Sequence, residues 1–122
     1  MIYLSLKEFE SLPTSKQTGP VKLPSGNIFW YNEGNIHRLD GPAVEYINGN
    51  KAWYKNNKLH RIHGPAIEFA NGTKFWYFEG KLHRLDGPAM EFTDGEKQYW
   101  LDNISYPYNE WYSIIHNLEK FI

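Results

Sequence analysis

The chain has 122 residues, room for one hydrophobic core, and its net charge of −1 supplies no broad field to hold phosphate backbones or an anionic membrane surface. It has no cysteine, which excludes disulfides and thiolate chemistry and suits a reducing, cytoplasmic compartment. Aromatic residues make up 17% of the chain and are the feature to explain.

At the N-terminus, Lys7, Glu8 and Glu10 interrupt the apolar residues of MIYLSLKEFESL, so neither a signal peptide nor a membrane span is expected there. Ser5 and Glu8 have capping-box spacing, and Leu6, Phe9 and Leu12 share one helical side until Pro13. This predicts a short helix in an N-terminal cap over residues 1–18.

Residues 19–106 repeat themselves. The run His37-Arg38-Leu39-Asp40-Gly41-Pro42-Ala43 returns as His60-Arg61-Ile62-His63-Gly64-Pro65-Ala66 and as His83-Arg84-Leu85-Asp86-Gly87-Pro88-Ala89, at an interval of 23 residues. Gly26, Gly49, Gly72 and Gly95 keep the same phase, as do Trp30, Trp53, Trp76 and Tyr99. The outer copies are degenerate, as the capping of a repeat stack requires. Asn48-Gly49, Asn71-Gly72 and Asp94-Gly95 lie between alternating apolar runs and predict two-residue type I′ hairpins. A second tight turn follows at Glu33-Gly34, Asn56-Asn57, Glu79-Gly80 and Asp102-Asn103. The expected fold is all-β, an antiparallel meander of about four hairpin repeats between helical caps.

Counting outward from two-residue Asn-Gly loops opposes Val44 to Trp53, Tyr46 to Lys51, Ala43 to Tyr54 and Glu45 to Ala52. One face then carries Val44, Trp53, Ile67, Trp76 and Met90, and the other Ala43, Tyr54, Ala66, Tyr77 and Ala89 beside a row of Glu45, Glu68 and Glu91. Beyond Pro107, the residues Trp111, Ile114, Ile115, Leu118 and Phe121 form the apolar stripe of an amphipathic helix, a C-terminal cap over 107–122.

The run Trp76-Tyr77-Phe78-Glu79-Gly80-Lys81-Leu82 resembles the variant repeats of the MORN family, and the resemblance covers about residues 19–106. Repeats that join such a run to His-Arg-x-Asp-Gly-Pro-Ala are also similar to uncharacterised proteins of large DNA viruses and bacteriophages and to antitoxin-like proteins. The resemblance implies elongated sheets of hairpins, protein–protein scaffolding and a viral or mobile-element source. The family's usual Tyr-x-Gly-x-Trp and later Gly-x-Gly pattern is replaced here, so lipid contact is not carried over.

The repeated motif has a chemical and a structural interpretation. Histidine titrates near neutral pH, and an Arg–Asp pair can orient it for acid–base work. Catalysis, however, needs one asymmetric cluster, whereas a motif written three times is what a repeated turn needs. The acid is moreover replaced by His63 in the middle copy. The structural interpretation therefore assigns the turn to His37, Asp40, Gly41, Pro42, His60, Gly64, Pro65, His83, Asp86, Gly87 and Pro88. Asp40 and Asp86 would accept backbone N–H groups, and each histidine would pack beside a tryptophan. Equivalent histidines stand at least two strands apart, roughly 10 Å, too far to share a metal ion. No serine lies within two residues of a histidine, and the chain has no glycine-rich phosphate loop. The expectation is a non-catalytic chain with no metal and no cofactor.

Columns of Trp and Arg have the composition of a binding hot spot. Arg38, Trp53, Arg61, Trp76 and Arg84 are the expected partner-binding residues, and the partner a protein, a host factor if the viral resemblance holds. The alternatives are a nucleotide or single-stranded nucleic acid stacked on the rings with the arginines on its phosphates, and self-assembly into homo-oligomers through sheet edges.

Overall fold

The computed structural model describes residues 1–119. The strand β1 (Leu4–Ser5) leads into α1 (Leu6–Glu10), where Ser5 and Glu8 close the capping box in both directions. A 3₁₀ turn at Thr14–Lys16 then leads to β2 (Gly19–Lys22), β3 (Ile28–Asn32) and β4 (Asn35–Ile36). The next stretch holds β5 (Val44–Glu45), β6 (Lys51–Ala52), β7 (Tyr54–Lys55) and β8 (Lys58–Leu59). It is followed by β9 (Ile67–Glu68), β10 (Lys74–Phe75), β11 (Tyr77–Phe78) and β12 (Lys81–Leu82). The described chain ends in β13 (Met90–Glu91), β14 (Lys97–Leu101), β15 (Ile104–Tyr106) and α2 (Tyr108–Glu119).

Eleven strands form one sheet in the order β1-β2-β3-β5-β6-β9-β10-β13-β14-β15, with β4 on β3, while β7-β8 and β11-β12 are separate two-stranded ribbons. The antiparallel meander expected throughout is thus corrected twice. The β1–β2 pair is parallel, and the strands break at Trp53 and Trp76, where the chain leaves the main sheet for a ribbon.

The Asn-Gly turns are not type I′. The amide of Tyr46 donates to the Asn50 carbonyl (3.0 Å) and that of Gly49 to the Tyr46 carbonyl (3.0 Å), with positive φ at Gly49 and not at Asn48. This is a three-residue loop, a type I turn closed by a glycine bulge. The Asn48 side chain accepts from the Asn50 amide at 2.9 Å, a local bond that replaces the need for a left-handed backbone at asparagine. Phe69-Gly72 and Phe92-Gly95 repeat the arrangement. The type I′ geometry belongs to the second turns, where Glu33-Gly34, Asn56-Asn57, Glu79-Gly80 and Asp102-Asn103 all have positive φ at both positions.

One extra loop residue shifts the register by one and turns the expected faces over. Val44 opposes Ala52, not Trp53, and Glu45 opposes Lys51, not Ala52. One row therefore reads Val21, Phe29, Val44, Ala52, Ile67, Phe75, Met90 across the sheet. On the opposite face Glu45, Lys51, Glu68, Lys74, Glu91 and Lys97 alternate in sign, each pair a favourable cross-strand contact of about 0.2–1 kcal/mol. The glutamates of the expected acidic row are thus separated by lysines.

Val21, Val44 and the motif alanines Ala43, Ala66 and Ala89 are the most deeply buried side chains. Trp111 of α2 is buried against the last repeat, its ring 4.9 Å from that of Tyr99, so the helix covers the end of the stack as its apolar stripe predicts. Phe121 of that stripe, one of the last three residues of the 107–122 cap, and the side chain of Leu118 lie outside what the structure describes.

Candidate functional site

Each copy of the motif builds the same loop. The guanidinium of Arg38 lies over the Trp30 ring, that of Arg61 over Trp53 and that of Arg84 over Trp76, each 3.8 Å from the ring centre. From there Nη1 of each arginine donates to a proline carbonyl two residues before the next strand: Pro42 (3.2 Å), Pro65 (3.0 Å) and Pro88 (3.0 Å). Each arginine also meets a glutamate of the sheet, Glu45 at 3.8 Å, Glu68 at 3.2 Å and Glu91 at 3.1 Å. The glycine follows from the arginine. A Cβ on Gly41 or Gly87 would stand 2.9 Å from the guanidinium carbon of Arg38 or Arg84, and one on Gly64 would stand 3.0 Å from that of Arg61. A side chain there would push the cation from its place on the ring.

Asp40 and Asp86 accept from Nε of Arg38 (2.9 Å) and Arg84 (2.8 Å), not from backbone amides as expected. Their role is to complete the arginine's partners. His63 stands in place of the acid in the middle copy, and Arg61 keeps its place on Trp53 through Pro65 and Glu68.

The histidines are inter-repeat clamps. Nδ1 of His37 accepts from the Asn56 amide (3.1 Å), His60 from that of Glu79 (2.9 Å) and His83 from that of Asp102 (3.1 Å), in each case the first residue of the next type I′ turn. In the first turn the Thr18 hydroxyl accepts from the Glu33 amide instead. An Nδ1 that accepts must carry no proton, so the proton of the neutral ring sits on Nε2. Burial lowers the pKa of His60, whose side chain is 8% exposed, and Lys55 lowers it further, while Glu79 opposes the shift. The three histidines come together in no cluster, and among the described residues no three His, Asp or Glu side chains are grouped to hold a metal.

Between the first two loops lies a groove of about 690 Å³ lined by Arg38–Gly41, Trp53–Lys55 and His60–His63. Of the residues expected to bind a partner it brings together Arg38, Trp53 and Arg61, whereas Trp76 and Arg84 belong to the next loops along the stack. Burial raises the phenol pKa of Tyr54 in the floor, so that ring stays neutral. The most exposed apolar groups beside the groove are the loop tips Leu39 (85%) and Ile62 (71%), which pattern reasoning treated as a variable position. Their apolar character in all three copies, with Leu85 in the third, was the available signal. The acids Glu45, Glu68 and Glu91, expected as a row of their own, share the 23-residue phase of the arginines and pair with them.

Among the described residues no helix is long and apolar enough to cross a membrane. No protein-family model matches the chain, and no curated protein or solved structure is significantly similar to it.

Proposed function

We propose that the chain is a non-catalytic repeat module of MORN-like type that binds a protein partner along the face formed by its His-Arg-x-Asp-Gly-Pro-Ala loops. The observation that carries this reading is the contrast within one loop. The arginines are already matched by tryptophan faces, proline carbonyls and carboxylates, while Leu39 and Ile62 stand in solvent on either side of a groove. Apolar groups exposed beside a concave, ring-floored surface are what a protein interface covers. The walls of that interface are Arg38, Trp53 and Arg61, and Trp76 with Arg84 continue it into the third loop. A phosphate ligand would have to displace the carboxylates now held by the arginines, which ranks the nucleotide reading second. Self-association through the outer edge of β15 has only three residues of strand to offer. A host protein as partner of a phage or other mobile-element chain is the form of this reading that the repeat resemblance supports.

Affinity capture by the tagged chain, with mass spectrometry of bound proteins and of small molecules released on heating, tests the reading. One stoichiometric protein retained at about 0.5 M salt, where exposed charge pairs are screened, is the expected result. A released nucleotide without a protein, or binding lost steeply with salt, overturns it in favour of phosphate recognition.

A further inference from the structure

The second motif loop departs from the other two at the acid. In the first and third, Asp40 and Asp86 hold a carboxylate oxygen on Nε of the loop's arginine, at 2.9 and 2.8 Å. In the second, His63 stands at that position. Among the described residues Arg61 donates only through Nη1, to the Pro65 carbonyl at 3.0 Å and to Glu68 at 3.2 Å, and its Nε has no acceptor. The guanidinium has nevertheless not moved, lying 3.8 Å over the Trp53 ring as its counterparts lie over Trp30 and Trp76. The Arg61 side chain is also the most open of the three, 28% exposed against 18% for Arg38 and 20% for Arg84.

We propose that the Nε edge of Arg61 is a binding site for a carboxylate, and that an aspartate or glutamate side chain of the partner protein fills the seat that Asp40 and Asp86 fill in their own loops. The proposal rests on the protein-binding reading above and assigns one contact within it. The ligand class comes from the sibling loops, where the same edge of the guanidinium takes a carboxylate. Arg61 is held in advance by a ring, a carbonyl and a sheet glutamate, so an incoming acid finds the cation already oriented. The edge formed by Nε and Nη2 matches the two oxygens of a planar carboxylate. Glu68 already brings one negative charge to this guanidinium, which disfavours a doubly charged phosphate more than a singly charged acid. Arg38 and Lys55 line the same groove with carboxylates on them already, Asp40 at 2.9 Å and Glu79 at 3.3 Å. An exposed charge pair of this kind selects among partners more than it adds affinity.

The probe is acetate, exchanged for chloride at constant ionic strength and pH, with the arginine Nε–H signals of the isotopically labelled full chain as readout. The Arg61 signal should move at least twice as far as those of Arg38 and Arg84. Exchanging the two residue types should carry the response with them. Asp40→His, which copies the middle loop, should confer it on Arg38, and His63→Asp, which copies the outer loops, should remove it from Arg61, with melting temperatures monitoring the fold in each. Equal movement of the three signals, or a response that stays in place in both variants, would overturn the site. Inorganic phosphate moving the Arg61 signal at a lower concentration than acetate would overturn the carboxylate assignment in favour of a phosphate ligand. For a captured partner, His63→Asp should weaken binding at least fivefold, because the seat is then filled and an incoming acid is repelled. A partner that binds the His63→Asp chain as tightly as the parent would sink the contact while leaving the protein-binding reading in place.

Discussion

The loops at 38–42 and 84–88 agree in guanidinium position, proline carbonyl, aspartate partner and the exposure of that aspartate, yet the first is followed by another copy and the second by α2. Internal geometry therefore follows from the motif, and what packs beside the loop follows from its place in the stack. A repeat buries one side of its rings on the next copy, and the last copy has no successor. Trp111 and Tyr108 close on Tyr99 where the Arg84 guanidinium closes on Trp76 one interval earlier, so the helix substitutes for the missing repeat.

Removing the cap tests this contrast most severely. Trp111→Ala deletes a buried ring and its hydrogen bond, and should cost about 3–5 kcal/mol in a urea melt. Leu39→Ala, at an exposed loop tip, should stay within about 0.5 kcal/mol. Comparable losses from the two would mean that the first loop is buried in solution.

Within a loop, the glycine beside the arginine is the next point of attack. Gly41 does not have the positive φ of Gly64, so any cost of Gly41→Ala comes from its Cβ meeting Arg38 at 2.9 Å. Overpacking of this kind costs about 1–3 kcal/mol. The near-ultraviolet signal of Trp30 should change with it as the cation is displaced, and an unchanged signal would separate the glycine from the stack.

Acidification probes the clamp between repeats. Burial holds the pKa of His60 below its ordinary 6.5, so the unfolded chain takes up the proton first. The contribution is present above 6.5 and is lost as pH falls below it through the folded-state value. A proton on Nδ1 also removes the acceptor for the Glu79 amide. His60→Gln keeps an acceptor and loses the titration, so its melting temperature should fall less than that of the parent between about pH 7.5 and 5.5. Parallel curves would show that His60 does not titrate on unfolding.

Much of this architecture was legible in the residues because it is local or periodic. Ser5 and Glu8 specify the α1 cap, the stripe from Trp111 specifies α2, and the interval of 23 locates every turn. The register was not legible, because Asn-Gly serves both a two-residue loop and a type I turn with a bulge, and one residue of difference exchanges the faces. Nor does a sequence say that Arg38 folds back over Trp30, a contact eight positions apart that closes only because Gly41 leaves room. The tips Leu39, Ile62 and Leu85 were visible as apolar residues, but the 23-residue pattern does not separate an exposed loop tip from a buried one.

The smallest expected effect has a sign that depends on the repeat. In the type I′ turns, Oδ1 of Asn57 accepts from the Ile36 amide (2.7 Å) and Oδ1 of Asn103 from that of Leu82 (2.8 Å), each bond tying a turn to the preceding hairpin. Gly80 holds the same place against Leu59 and brings only its own amide, to the Leu59 carbonyl. Asparagine tolerates its φ of 81°, and a Cβ there would meet Lys58 at an ordinary 3.6 Å. Gly80→Asn should therefore supply the missing acceptor and restrict the unfolded chain, raising stability by about 0.5–1 kcal/mol. At the N-terminal end the identical change must fail, because a Cβ on Gly34 would stand 2.7 Å from the Thr14 methyl. Opposite shifts in melting temperature for Gly80→Asn and Gly34→Asn would show that the inter-repeat bond is transferable and the cap is not. A loss at Gly80 would mean that the turn of that repeat departs from its neighbours in solution.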